Sequence, residues 1–155
     1  MSRHPVCLAV RPAALALIFA ATAPALAQDL PPKAVYEAML NANRASGWVA
    51  FRNFGGNQLV YFTALQTMHC RLSGIRYSIN SNALDKTFEL VPCDPQMAFA
   101  MPPDVKPEQV YLTLAPGTAE TVAVQVVWDD GTESDVMVYR PCDNVGEQTC
   151  AAVAE

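Results

Sequence analysis

From Gly47 onward, apolar and polar residues alternate with a period of two, and this limits the possible folds more than any other feature of the chain. A strand points successive side chains to opposite faces, so alternation calls for a sheet with one buried face. The clearest run is Thr121 to Trp128, where Val122, Val124 and Val126 share one face and Ala123, Gln125 and Val127 the other. It enters Asp129-Asp130-Gly131, a tight-turn signal, and Ser134 to Arg140 forms the expected returning strand. The three valines are expected to face the core, because a one-residue slip would expose all of them.

Other segments follow the same rule. Trp48 to Arg52 and Leu59 to Thr63 are rich in aromatic and β-branched residues, and Asn53-Phe54-Gly55-Gly56-Asn57 supplies a hairpin loop between them. Arg71 to Asn80 predicts a third strand, with Tyr77 and Ile79 on one face, Arg76 and Ser78 on the other, and a bulge at Gly74. Thr87 to Val91 and Val110 to Leu114 predict two more. Between these two, Pro92, Pro95, Pro102, Pro103 and Pro107 exclude a regular ladder, so residues 92–107 are expected to cross from one sheet to another. Before Gly47 the period is helical. Val35, Ala38, Met39 and Ala42 behind Asp29-Leu30-Pro31-Pro32 predict a helix over 32–45, with Asp29 as the candidate cap. About seven short strands and one leading helix give a mainly β fold, an antiparallel sandwich.

Ile75-Arg76-Tyr77-Ser78-Ile79-Asn80 and the valine-rich strand entering Trp128-Asp129-Asp130-Gly131-Thr132-Glu133-Ser134 resemble immunoglobulin-like or fibronectin-type modules of exported bacterial proteins. The resemblance covers the segment from Ile75 to Tyr139. It implies an immunoglobulin/fibronectin-like sandwich and carries no function with it, since one fold hosts many.

The first 27 residues are expected to be a secretory signal peptide. Arg3 and Arg11 make a basic start, Ala13 to Ala21 an apolar run too short to span a bilayer, and Ala25-Leu26-Ala27 a small-x-small cleavage site. Cleavage leaves one domain, 28–155, in the periplasm or outside the cell, with no membrane insertion. Eight basic and fifteen acidic residues then remain, a net charge of −7 with His69 neutral. Such a domain repels phosphate backbones, which excludes nucleic acid as an expected partner. Cys7 leaves with the leader. The four remaining cysteines predict two disulfides in an oxidising compartment, and local geometry favours Cys70–Cys93 with Cys142–Cys150. Zinc is the rival reading, but the chain expected after cleavage has no C-x-x-C pair and one histidine, His69.

No stretch spells out a reaction, and no cofactor is expected. Asp129, Asp130, Glu133 and Asp135 place four carboxylates in seven residues, which raises a calcium alternative, although Asp-Asp-Gly also serves a turn. His69 beside Cys70 lacks a free thiolate once Cys70 is bridged, and a surface or turn position is expected for it. A serine nucleophile elbow and a phosphate loop are both absent. Asp85, Glu89 and Asp94 would be the acids of an exported hydrolase. Aromatic residues offer more. Phe54 on a glycine-rich tip is hard to bury, Trp48 is a further contact candidate, and Met97, Phe99 and Met101 alternate within the proline-rich crossing. The function expected from these features is non-catalytic binding of a protein or glycan partner, with a carbohydrate-binding module and a hydrolase as the alternatives.

Overall fold

The computed structural model describes residues 29–45 and 47–154. The expected cleavage site after Ala27 lies outside them. Two antiparallel sheets enclose one core. The first has three strands in the order β1-β2-β5: β1 (Ala50–Phe54), β2 (Asn57–Tyr61) and β5 (Tyr111–Leu114). The second has five, in the order β4-β3-β6-β7-β8: β3 (Leu72–Ile79), β4 (Lys86–Phe88), β6 (Val122–Trp128), β7 (Met137–Arg140) and β8 (Ala152–Val153). Helix α1 (Lys33–Ala42) leads the chain, and the short α2 (Thr63–Gln66) follows β2. No helix among the described residues is long and apolar enough to cross a membrane.

The valine alternation sets the register of the larger sheet. Val122, Val124 and Val126 are fully buried, opposite Ile79, Tyr77 and Ile75 of β3. A register shift between Leu72 and Gly74 is the expected bulge. Phe51 and Val60 of the smaller sheet and Tyr36 and Leu40 of α1 join the same apolar cluster. At its centre Phe62 stacks on Phe88 at 4.0 Å, and Tyr77 meets Phe62 edge-on at 5.2 Å. The proline-rich segment does cross from β4 of one sheet to β5 of the other.

Helix α1 differs from expectation in its buried face. Tyr36 and Leu40 are inside while Val35, Ala38 and Ala42 are exposed, so the inward stripe lies one position along from the predicted one. Asp29 does not cap; Pro32 occupies the N-cap and no side chain caps there. Two core aromatics take up carbonyls near the helix end instead: Trp48 Nε1 donates to Leu40 O (2.9 Å) and the Tyr139 hydroxyl to Arg44 O (2.8 Å). Gly47 then turns the chain at φ +110°, where a Cβ would lie 2.5 Å from Val49 O.

Buried glutamines tie the two sheets. Gln58 of β2 accepts from Ala119 N (2.7 Å) and donates to Ala119 O (2.9 Å), imitating a β-bridge to the lead-in of β6. Gln66, fully buried in α2, donates to Glu89 O and Gln109 O (both 2.7 Å) and accepts from Val91 N (3.2 Å). It therefore joins the chain leaving β4 to the chain entering β5. The opposite seam is closed by backbone, with Phe51 of β1 and Cys150 exchanging two bonds of 2.9 Å just before β8.

Two outcomes check this account. Gln66→Leu strands two carbonyls and an N–H in the interior, at about 1–3 kcal/mol for each group left unsatisfied. It is expected to cost about 3 kcal/mol or more in urea denaturation. Val124→Asp buries an unpaired charge between the sheets and is expected to leave no cooperative thermal transition.

Candidate functional site

The β1–β2 hairpin is tighter than its sequence suggested. Phe54 pairs with Asn57 in the ladder, and Gly55 and Gly56, at φ +60° and +77°, make a two-residue turn. Phe54 thus stands at the end of a paired strand and remains 50% exposed. The Arg52 guanidinium lies 4.3 Å from the centre of its ring, and Arg52 Nε donates to Glu147 O (2.9 Å). Glu147 belongs to the loop that the Cys142–Cys150 disulfide closes, with the two Cα atoms 5.8 Å apart. A cleft of about 240 Å3 opens here between Phe54, Gly55, Pro116, Gly146 and Glu147. Alternation along β1 and β2 puts Arg52, Phe54 and Tyr61 on the face away from Phe51 and Val60. Tyr111 lies opposite Tyr61 on that face, their rings 5.1 Å apart and both half-buried.

The other proposed contact residues are placed differently. Trp48 is 1% exposed and packs against Tyr139 at 6.4 Å, so it is a core residue with no surface to offer. The Phe99 ring meets that of Tyr36 of α1 at a tilt, 4.7 Å between centroids, so the proline-rich crossing packs against the helix. Met97 and Phe99 remain exposed at the surface and Met101 is half-buried.

The four clustered acids do not converge on a cation. Each meets its own basic partner: Asp129 with Arg71 (3.0 Å), Asp130 with Lys33 (2.7 Å), Glu133 with Arg76 (2.7 Å) and Asp135 with Arg44 (2.7 Å). These carboxylates are spread over four ion pairs that tie Lys33 of α1, Arg44 just beyond it, Arg71 just before β3 and Arg76 of β3 to the β6–β7 connection. The acids of the hydrolase alternative have local work as well. Asp94 caps the turn at Gln96 N (2.9 Å), Asp85 meets Lys86 at 3.5 Å, and Glu89 accepts from Gln109 Nε2 at 3.4 Å.

His69 does not lie at the surface. It is 4% exposed in a 3-10 turn after α2, and its Nδ1 lies 2.6 Å from Gln66 O. A carbonyl only accepts, so Nδ1 carries the hydrogen in this contact, and the tautomer that makes it leaves the lone pair on Nε2. Nε2 is buried with no partner. Beside it is the Cys70–Cys93 disulfide, with the Cα atoms 4.8 Å apart and Cys70 buried. Both expected pairings are present. The group of three ligating side chains that converges among the described residues is His69, Cys70 and Cys93, their donor atoms all within 4.8 Å of one another. Nothing in the sequence marked His69 Nε2 as an orphan, because that depends on the carbonyl of Gln66, three residues back.

The Lys33–Asp130 pair gives a pH dependence. Hydrogen bonds from Lys33 and then from the Thr132 hydroxyl and backbone hold the Asp130 carboxyl well below the usual carboxylate range. The bond to Asp130 raises the Lys33 ammonium in turn. The contribution of the lowered acid is present above its unfolded value near about pH 4 and is lost as the pH falls through the folded one. Asp130→Asn is expected to lower the Tm slightly at neutral pH, with the gap to wild type closing as the pH falls below about 4. Thermal melts of both proteins across that range check it.

Compared with models of known protein families, with curated proteins and with solved structures, the chain gives no match.

Proposed function

We propose that this protein is a non-catalytic, exported binding module, a small sandwich of the immunoglobulin/fibronectin-like kind, that grips a protein partner through the β1–β2 tip. The observation that carries this reading is Phe54. A large apolar ring is left half in water, yet it is held in place by a guanidinium that is itself hydrogen-bonded to a disulfide-closed loop. An exposed aromatic on a rigid support loses little entropy on binding, and aromatic anchors dominate interface energetics. Loops carried by a rigid scaffold are where binding residues concentrate.

Export is supported by two disulfides in a small chain and by the leader-like first 27 residues. The non-catalytic reading is supported by the occupied acids and by the one histidine of the described chain, whose free nitrogen is buried. A glycan partner is the second reading. It is favoured by the Tyr61–Tyr111 pair on the same outer face, since amphipathic rings suit sugar contact.

Phe54→Ala tests the reading. The ring is exposed and its contact with Arg52 lies at the surface, so the Tm is expected to change little. Recovery of a defined partner from the exported protein fraction is expected to fall at least tenfold against wild type. A loss of several kcal/mol in stability would make Phe54 a core residue and remove the reading. Capture lost on Tyr61→Ala and Tyr111→Ala but kept on Phe54→Ala would move the site to the glycan reading. Hydrolysis of glycoside, ester or peptide substrates that persists through repeated purification would make the protein an enzyme.

A further inference from the structure

The corner formed by His69, Cys70 and Cys93 brings together three side chains of metal-ligating type, two of them joined as a disulfide. We propose that reduction of the Cys70–Cys93 bridge opens a site for a soft monovalent cation, Cu(I), held by His69 Nε2, Cys70 Sγ and Cys93 Sγ.

Two independent observations meet here. The first is convergence: a ring nitrogen of His69 and the sulfurs of Cys70 and Cys93 all lie within 4.8 Å of one another. Ligands around one ion at about 2.0–2.3 Å stand roughly 3.5–4 Å apart, so the donors have to shift by an ångström or two. Cys93 can make that shift, since it is exposed and lies between Pro92 and Pro95 outside any ladder. The second is the state of the imidazole. A metal-binding histidine commonly donates its other ring N–H to a carbonyl, which fixes both tautomer and orientation. His69 already has this contact through Nδ1 to Gln66 O at 2.6 Å, and its Nε2 is buried without a hydrogen-bond partner. A buried acceptor without a donor costs stability, so the orphan calls for an explanation of its own.

The donor set selects the ion. Two thiolates and one imidazole are soft ligands of the kind that select Cu(I) and zinc. A closed structural zinc site takes four protein ligands, and the convergent group offers three. Cu(I) is satisfied by three.

The chemistry balances with a dithiol as reductant. The dithiol gives two electrons and two protons to the Cys70–Cys93 bridge and leaves as its own cyclic disulfide. Cys70 and Cys93 become thiols. On binding Cu(I), both thiols release their protons to solvent and the two thiolates ligate without further electron transfer.

The test uses the full chain, reduced with a dithiol, desalted without oxygen and titrated with Cu(I) presented by bicinchoninate. One Cu(I) per chain is expected to leave the chelator for the reduced protein and none for the oxidised one. His69→Gln is expected to weaken the transfer at least tenfold. Because the full chain also carries Cys7 and reduction frees Cys142 and Cys150 as well, bound Cu(I) is read by alkylation and peptide mass. Cys70 and Cys93 are expected to be protected while Cys7, Cys142 and Cys150 react. Should reduction alone unfold the chain, Cu(I) is expected to restore its β-sheet circular dichroism. The proposal is overturned by no transfer, by transfer indifferent to His69→Gln, by protection of Cys142 and Cys150 in place of the first pair, or by an unfolded reduced chain that Cu(I) does not refold.

Discussion

The hydrogen bonds of one buried side-chain amide organise the part of the molecule where its two sheets would otherwise part. Gln66 uses both hydrogens of its amide nitrogen and its oxygen on three backbone groups, at Glu89, Gln109 and Val91. Its orientation is unambiguous, since the nitrogen faces two carbonyls and the oxygen faces an N–H. Two sheets that share a core leave polar backbone groups at each seam, and these need hydrogen-bond partners. One seam is closed by Phe51 and Cys150 through main chain, which makes the C-terminal segment a bridge between sheets. The other has no strand to spare, and Gln66 fills it. Its own carbonyl then orients His69. The position of Cys93 beside Cys70 follows from the same clasp, because Val91 is held by Gln66 and Cys93 lies two residues on.

Much of the β framework was legible because alternation is a local signal with a global consequence. Val122, Val124 and Val126 could face one way only, and the hairpin, the bulge at Gly74 and the crossing at 92–107 followed from residues adjacent in the chain. The two disulfides were legible for a similar reason, since each bridges segments already placed side by side. What was missed depended on contacts between distant segments. The inward face of α1 is chosen by Trp48, Tyr139 and Phe99, none of which the helix sequence reveals, so Tyr36 and Leu40 went in while Val35 stayed out. Helix α2 was hidden because four residues carry too little periodicity to register. Strand β8, two residues long, is defined by its partner Tyr139 and not by its own pattern. Returning strand β7 begins at Met137 and not at Ser134, with Glu133 and Ser134 bonded to β6 outside the regular ladder.

Charge obeys the same division. An acidic run looked like one feature in the sequence and is four in space, because a turn followed by an irregular return fans its carboxylates in different directions. Lys33 illustrates how much one cation then does. It bonds Asp130 and Thr132, meets Glu37 at 3.5 Å within its own helix, and lies 5.2 Å from the centre of the Trp128 ring. A single exposed pair contributes little. Here the pairs with Glu37 and Asp130 share Lys33, and their effect is to orient the helix over a core that Tyr36 and Leu40 already attract. Electrostatics selects among placements that apolar burial permits.

The clasp and the disulfide constrain the same stretch of chain, and this sets how their energies combine. Cys70–Cys93 spans 23 residues and Cys142–Cys150 spans 8, and a loop-entropy account assigns each bridge roughly 2.5–3.5 kcal/mol through the unfolded state. Gln66 acts in the folded state, on a loop whose ends the bridge has already brought together. With the bridge intact, Val91 cannot move far from Gln66, so the amide keeps its partners at little entropic cost. With the bridge reduced, the same three bonds must hold the chain leaving β4 against the chain entering β5 unaided, and their net contribution falls. Contributions of neighbouring groups that share a constraint do not add. The disulfide therefore protects the seam hydrogen bonds as well as shortening the unfolded chain. An ion bound by His69, Cys70 and Cys93 would restore the same constraint in a reduced molecule, since it would join the same two segments at the same point.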